Sequence, residues 1–217
     1  MSIDTEILLK GRKSATMDTM HTELEAKFLD IYPETLREKL KAGGARQVHK
    51  ERVMRRKVFD FPDLRLEKTG AWIRVRDEGD KITLSFKQLI DRSLCGTKEM
   101  TVAVSDFEEI CKLLKAIGLE ERSYQETKRE KWLWDTSEIT IDTWPWIPTF
   151  VEIEGESEEK IRDHAQKLGF DWNAVLHGSV ETAYQKYYDV TEEEVDSWPL
   201  ITFSEVPEWL VVKKKRS

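Results

Sequence analysis

Cysteine is scarce in this chain. There are two in 217 residues, Cys95 and Cys111, with no CxxC spacing and no histidine beside either. That argues against a disulfide framework or a cysteine-based metal site and points to free thiols in a reducing compartment. No apolar run reaches membrane-spanning length, and the N-terminus lacks a signal-peptide core. A soluble, cytoplasmic protein with no membrane partner is therefore expected. Neither GxxxxGK[ST] nor GxGxxG occurs, so a P-loop or dinucleotide site has no support. The four histidines, His21, His49, His164 and His177, are too scattered for a metal triad. Positive charge is in deficit: 35 Lys and Arg against 42 Asp and Glu leave a net −7. That argues against an extended nucleic-acid footprint and leaves room only for a local basic pocket.

What the chain does have is charge of both signs, 35% of its residues, with 39% apolar content and eight Trp and eight Phe for a core. The stretch His21–Ile31 sets the pattern. Glu23, Glu25 and Lys27 alternate with Leu24, Ala26 and Phe28, the period of a strand with one charged and one apolar face. Further strands are predicted over Arg52–Phe61, Trp72–Arg76, Lys81–Lys87, Lys98–Val104, Glu126–Trp134, Ile139–Trp144 and Thr149–Glu154. Helices are predicted over Asp30–Gly44, over Ser105–Leu119 capped by Ser105, over Ser157–Leu168, and over residues 179–189. In Ser105–Leu119 the buried stripe is read as Phe107, Ile110, Leu114 and Ile117. The organisation expected is a flexible N-terminal extension over 1–20, one domain over 21–190, and a C-terminal extension over 191–217 with the basic tail Lys213–Arg216.

Nearly every predicted strand repeats the two-faced arrangement. Ile73 and Val75 oppose Arg74 and Arg76; Trp132 and Trp134 oppose Arg129 and Lys131; Val151 and Ile153 oppose Glu152 and Glu154. On one strand a charged face is simply the wet side of a sheet. So many strands would make a very wide sheet, and wide sheets curl or close, turning the charged face into a lining. Arg74, Arg76, Lys87 and Arg129 would then offer donors to a polyanion, with arginine suited to forked contacts on phosphate oxygens. Glu23, Glu25, Glu152 and Glu154 offer hard oxygen ligands for Mg2+ or Mn2+. Cations plus a divalent metal are what phosphoryl transfer needs. The alternative is that these charges only pair across strands, at about 0.2–1 kcal/mol each.

The segment Glu23-Leu24-Glu25-Ala26-Lys27 resembles the ExExK signature of the CYTH superfamily, the triphosphate tunnel metalloenzymes. The likeness continues in order through TrpIleArgValArg (72–76), LeuSerPheLys (84–87), LysGlu (98–99), LysArg (128–129), IleAsp (141–142) and PheValGluIleGlu (150–154). It covers roughly Thr22 to Tyr188. ExExK alone is a weak motif, whereas the ordered set is specific. The resemblance implies an α+β fold: a closed eight-stranded antiparallel β tunnel with helices packed outside. It also implies a triphosphate-bearing small molecule as partner and Mg2+ (or Mn2+) as cofactor. Residue by residue, Glu23, Glu25, Glu152 and Glu154 would ligate metal, assisted by Glu99 and Asp142. Lys27, Arg74, Arg76, Lys87 and Arg129 would bind the triphosphate, with Glu23, Glu25 and Lys27 at the catalytic centre.

This chain departs from the family pattern at several places. Thr97 stands where the family often has arginine, and TrpIleProThrPhe (146–150) replaces a usual LeuGlyxPhe. Arg56 falls where an acidic or polar residue is usual, either a further phosphate contact or a solvent-facing side chain. Lys186 is a candidate basic residue of the helix that closes on the tunnel. Trp144 and Trp146 either stack on a base or thiazole ring or pack against the apolar face, the commoner fate of tryptophan. His21, beside the acidic strand, either reaches the tunnel mouth or is simply exposed.

The activity expected is metal-dependent hydrolysis of inorganic tripolyphosphate or of an organic triphosphate such as thiamine triphosphate. The same residues would serve a class IV adenylate cyclase making cyclic AMP and pyrophosphate from ATP. They would also serve a non-catalytic polyphosphate- or nucleotide-binding module. A small-molecule carrier barrel expects an apolar lumen and fits poorly.

Overall fold

The computed structural model describes residues 20–216, so the extension expected over 1–20 lies, apart from its last residue, outside the described residues. In chain order the elements are β1 (His21–Glu23), β2 (Glu25–Phe28), α1 (Pro33–Ala42), β3 (Arg46–Asp60), β4 (Ala71–Asp77), β5 (Ile82–Leu89) and β6 (Thr97–Val104). Then come α2 (Phe107–Ala116), β7 (Glu120–Trp134), β8 (Ser137–Thr143), β9 (Phe150–Glu154) and α3 (Glu158–Leu168). The C-terminal part holds α4 (Glu181–Tyr187), α5 (Glu192–Asp196), β10 (Leu200–Ile201) and α6 (Glu208–Val211). No described helix is long and apolar enough to cross a membrane. Both cysteines are free, Cys95 exposed and Cys111 buried.

The sheet runs β1-β6-β5-β4-β3-β7-β8-β9-β2, and every pair on this path is antiparallel. Its first and last members are separated by Leu24 alone, so the sheet returns to the segment it started from and encloses a lumen. Counted as one interrupted strand, β1 and β2 bring the ring to the expected eight; β10 adds a short parallel pair on β7. At the interruption Glu25 N–H donates to Leu94 O at 3.1 Å and Gly155 N–H to Leu24 O at 3.1 Å. The backbone thus stays satisfied while the segment changes partner.

Of three apolar clusters, two lie on the outer face, while the third includes Trp144, which lines the lumen, and Phe150, on the same strand face as Glu152 and Glu154. Ala26, Phe28, Trp132, Ile139, Val151 and Ile153 meet Leu36 and Leu40 of α1 and Ile161, Ala165 and Leu168 of α3. Phe59, Val75 and Leu119 sit beneath Phe107, Cys111 and Leu114 of α2. Trp144, Phe150, Tyr184, Tyr188, Val195, Trp198, Ile201 and Leu210 form the third. Residues 191–216 are therefore not a loose appendage. Lys213 of the basic tail pairs with Glu194, and Lys215 donates to Gln185 O at 2.6 Å.

Some expectations are corrected. The strand expected from Arg52 begins at Arg46, and the part before Arg52 holds register shifts against β7 between Gln47 and His49 and between His49 and Arg52. Each shift breaks the two-residue alternation that sequence reading follows. Asp106, not Ser105, caps α2, accepting from Glu109 N–H at 2.8 Å. Ile117 lies past the helix end and is exposed rather than buried.

Candidate active site

The strand period sends every second side chain inward, and inside the ring these converge on a cavity of about 480 Å³, the size of a small-molecule site. From β1 and β2 come Glu23, Glu25 and Lys27; from β3, Arg56; from β4, Arg74 and Arg76; from β5, Lys87. Glu99 comes from β6, Arg129 from β7, and Glu152 and Glu154 from β9. Eleven of the thirteen residues singled out from the sequence thus line one cavity. Asp142 is buried just behind it, bound by Arg129 through two contacts of 2.6 and 2.8 Å. Lys186 is exposed on α4 and is not among the lining residues. His21 is exposed as well.

Acids and bases interlock. Lys27, 1% exposed, lies 2.9 Å from Glu152 and 3.3 Å from Glu25, and donates to Gly178 O at 3.1 Å. Lys87 bridges Glu23 at 2.9 Å and Glu99 at 2.8 Å, and Arg129 also reaches Glu152 at 3.0 Å. Arg74 stands 3.6 Å from Glu99, and Arg76 is 2.6 Å from Glu78. Burial alone would lower the Lys27 pKa, but Glu152 and then Glu25 outweigh it and hold the ammonium charged. Burial would likewise raise Glu152, yet Lys27 and Arg129 keep its carboxyl down at about 2.

The other acids are less well compensated. Burial, then the charge of Glu152, raises Glu25. Burial, then Glu138 and Glu25, pushes Glu154 up to about 7. Burial and a hydrogen bond shared with Glu99 push Glu23 up to about 8. The register explains the crowding, since Glu154 pairs with Glu25 on one side and Glu138 on the other. A wall of carboxylates that hold their protons this strongly is short of positive charge. Its hard oxygen donors are the chemistry that Mg2+ or Mn2+ takes. Among the described residues no three His, Cys, Asp or Glu side chains are already grouped as a metal cluster. Lys27, Lys87 and Arg129 hold Glu25, Glu23, Glu99, Asp142 and Glu152 instead. The donor set therefore suits a divalent cation in kind, with side-chain rotation required to gather it.

Sequence reading missed part of the lining. Glu138 shares its strand face with Thr140 and Asp142, so the alternation carried that signal. Arg122 sits on the part of β7 that precedes the predicted start. Glu181, Glu192, Glu193 and Asp196 of α4 and α5 line the cavity too, and no local pattern marks them. Neither tryptophan is left open for stacking. Trp144 lines the cavity, but the Arg56 guanidinium lies 4.5 Å over its ring and Tyr184 meets its edge. Trp146 packs against Trp198 and donates to Ser204 O at 3.1 Å.

The CYTH domain family model matches residues 21–189. A protein of Pyrococcus horikoshii superposes with a TM-score of 0.62 at 20% identity, covering 74% of this chain and 98% of its own. A candidate adenylate cyclase of Vibrio parahaemolyticus gives 0.67 at 14% identity, over 76% and 98%. A candidate adenylyl cyclase from Hippeastrum, described as revealing a dominant triphosphatase activity, gives 0.52 at 13% identity, over 80% and 93%. At these identities the likeness concerns the fold. No curated protein matches the chain in sequence.

Proposed function

This chain belongs to the CYTH domain family, and from that premise we propose that it is a metal-dependent enzyme that hydrolyses a triphosphate in its lumen. The observation that carries the reading is the convergence of Lys27, Arg74, Arg76, Lys87 and Arg129 with Glu25, Glu152 and Glu154 in one small cavity. Lys27, Arg74 and Arg129 would exchange their resting carboxylates for phosphate oxygens, fixing the chain of phosphates against the wall. Glu25, Glu152 and Glu154 would hold Mg2+ (or Mn2+), with Glu23, Glu99 and Asp142 supporting them. When bound, that cation supplies charge neutralisation and polarisation of a phosphoryl oxygen. Glu25, a lining carboxylate, would take the proton of an attacking water when ionised. The water oxygen forms a bond to the terminal phosphorus, the bond to the bridging oxygen breaks, and phosphate leaves together with a diphosphate product.

Inorganic tripolyphosphate or a compact organic triphosphate such as thiamine triphosphate suits this lumen better than ATP. Trp144, an aromatic ring of the lining, already carries Arg56 on its face. The free thiols suit a reducing, cytoplasmic setting.

The test is a product assay with tripolyphosphate, thiamine triphosphate and ATP in Mg2+ and then Mn2+. Release of inorganic phosphate is expected. Cyclic AMP from ATP would replace hydrolysis by cyclisation. Tight binding of all three without product would make the protein a binding module.

A further inference from the structure

Three cations of the lumen are buried, Lys27, Arg56 and Arg74, and among the described residues Arg56 alone of these has no acid beside it. Lys27, Arg74, Arg76, Lys87 and Arg129 each face an acid. Arg56 is only 8% exposed, yet it forms no ion pair among the described residues. Its Nη2 donates to Thr127 Oγ1 at 3.1 Å, its guanidinium lies 4.5 Å over the Trp144 ring, and its buried Nε has no partner. Burial first, then the charges of Arg74, Arg76 and Arg129, press its pKa far down. An uncompensated buried charge is costly, and a single hydroxyl and an aromatic face return only part of that cost. The arrangement lacks an anion, and the side chain is pinned on two sides so that Nε stays free.

The topology fixes where Arg56 stands relative to the other lumen residues. From β3 the ring reaches the β1–β2 segment in four steps in either direction, through β4, β5 and β6 or through β7, β8 and β9. Arg56 therefore stands on the wall opposite Glu23, Glu25 and Lys27. An eight-stranded lumen is just wide enough for one small ligand. A ligand anchored at Lys27 would have to span the lumen to meet Arg56, whose contacts with Trp144 and Thr127 favour its own wall.

We propose that Arg56 is a specificity-determining residue that takes a phosphate oxygen on the far wall and so makes the lumen prefer three linked phosphates to two. This rests on the triphosphate reading above. The test is calorimetric binding of tripolyphosphate and of pyrophosphate, in EDTA, to the wild type, Arg56→Gln and Arg56→Lys, with thermal melting of each protein alone.

The wild type should favour tripolyphosphate. Arg56→Gln should weaken tripolyphosphate binding about 10- to 100-fold, the worth of a hydrogen bond to a charged group, and leave pyrophosphate nearly unchanged. Arg56→Lys should fall between. Ligand-free Arg56→Gln should melt no lower than the wild type, because it sheds a buried charge; a merely structural arginine would lower the melting temperature. Equal loss for both ligands, or no loss for either, overturns the proposal. Selective loss of tripolyphosphate binding in a wild type that never turns it over would leave Arg56 assigned and remove the hydrolase. A wild type that binds neither ligand in EDTA removes the Arg56 proposal and leaves the hydrolase to the product assay in Mg2+.

Discussion

Lys27 shows how the lumen is poised. It is an ammonium almost out of reach of water, kept charged by Glu152 and Glu25 rather than by solvent. A phosphate chain that displaces those acids leaves them free for a cation, so substrate and metal would support each other. Two substitutions separate the roles. Glu25→Gln should cut tripolyphosphate turnover about 100-fold or more while weakening Mg2+ binding by calorimetry. Arg74→Ala should mainly raise KM, by about 10- to 100-fold. Unchanged steady-state kinetics in both variants would remove these assignments.

Glu154 gives a pH dependence at the same scale. Its carboxyl is pushed from 4.5 up to about 7, first by burial and then by Glu138 and Glu25. Between those values the folded chain holds a proton there that the unfolded chain has released. Stability from this group is therefore greatest below 4.5 and lost as pH rises through about 7. In EDTA the melting temperature of the wild type should fall across this window, and Glu154→Gln should flatten that part of the profile. Parallel profiles would mean that the carboxylate carries no such burden.

At the scale of elements, legibility followed regularity. The β4–β5 hairpin was readable because Arg74 and Arg76, and then Thr83, Ser85 and Lys87, keep strict alternation with apolar neighbours from end to end. β3 was readable only from Arg52, past its N-terminal bulges, and the inward face of Arg56 was hidden because Arg55, Arg56 and Lys57 are three successive cations with no alternation. The cap of α2 was misplaced by one residue, since Ser105 and Asp106 are both good caps and only the backbone turn selects between them. Asp106→Ala should cost about 1 kcal/mol in urea unfolding, and Ser105→Ala close to nothing. The reverse order would restore the cap read from sequence.

For the molecule as a whole, closure makes the site and the C-terminal segment covers one side of it. Trp198 packs at 5.1 Å from Tyr184 and 5.0 Å from Trp209, ring centre to ring centre, and its carbonyl accepts from the Ser123 hydroxyl at 2.7 Å. Trp198→Ala should cost about 3–5 kcal/mol, and a chain ending at Val190 should melt well below the full-length protein. Equal melting temperatures would mean that residues 191–216 add no stability.

By itself the sequence determined the alternation of charged and apolar faces, the free thiols, and the ordered motifs from Glu23 to Glu154. Those properties belong to a side chain and its neighbours within a few positions, where a period of two is visible. The tertiary structure alone decided that Lys186 stays outside the lumen while Arg56 enters it without an acid, and that α4 and α5 bring Glu181, Glu192, Glu193 and Asp196 to the lining. These depend on the register between distant strands and on which helix packs where, and contacts between residues a hundred positions apart leave no local mark.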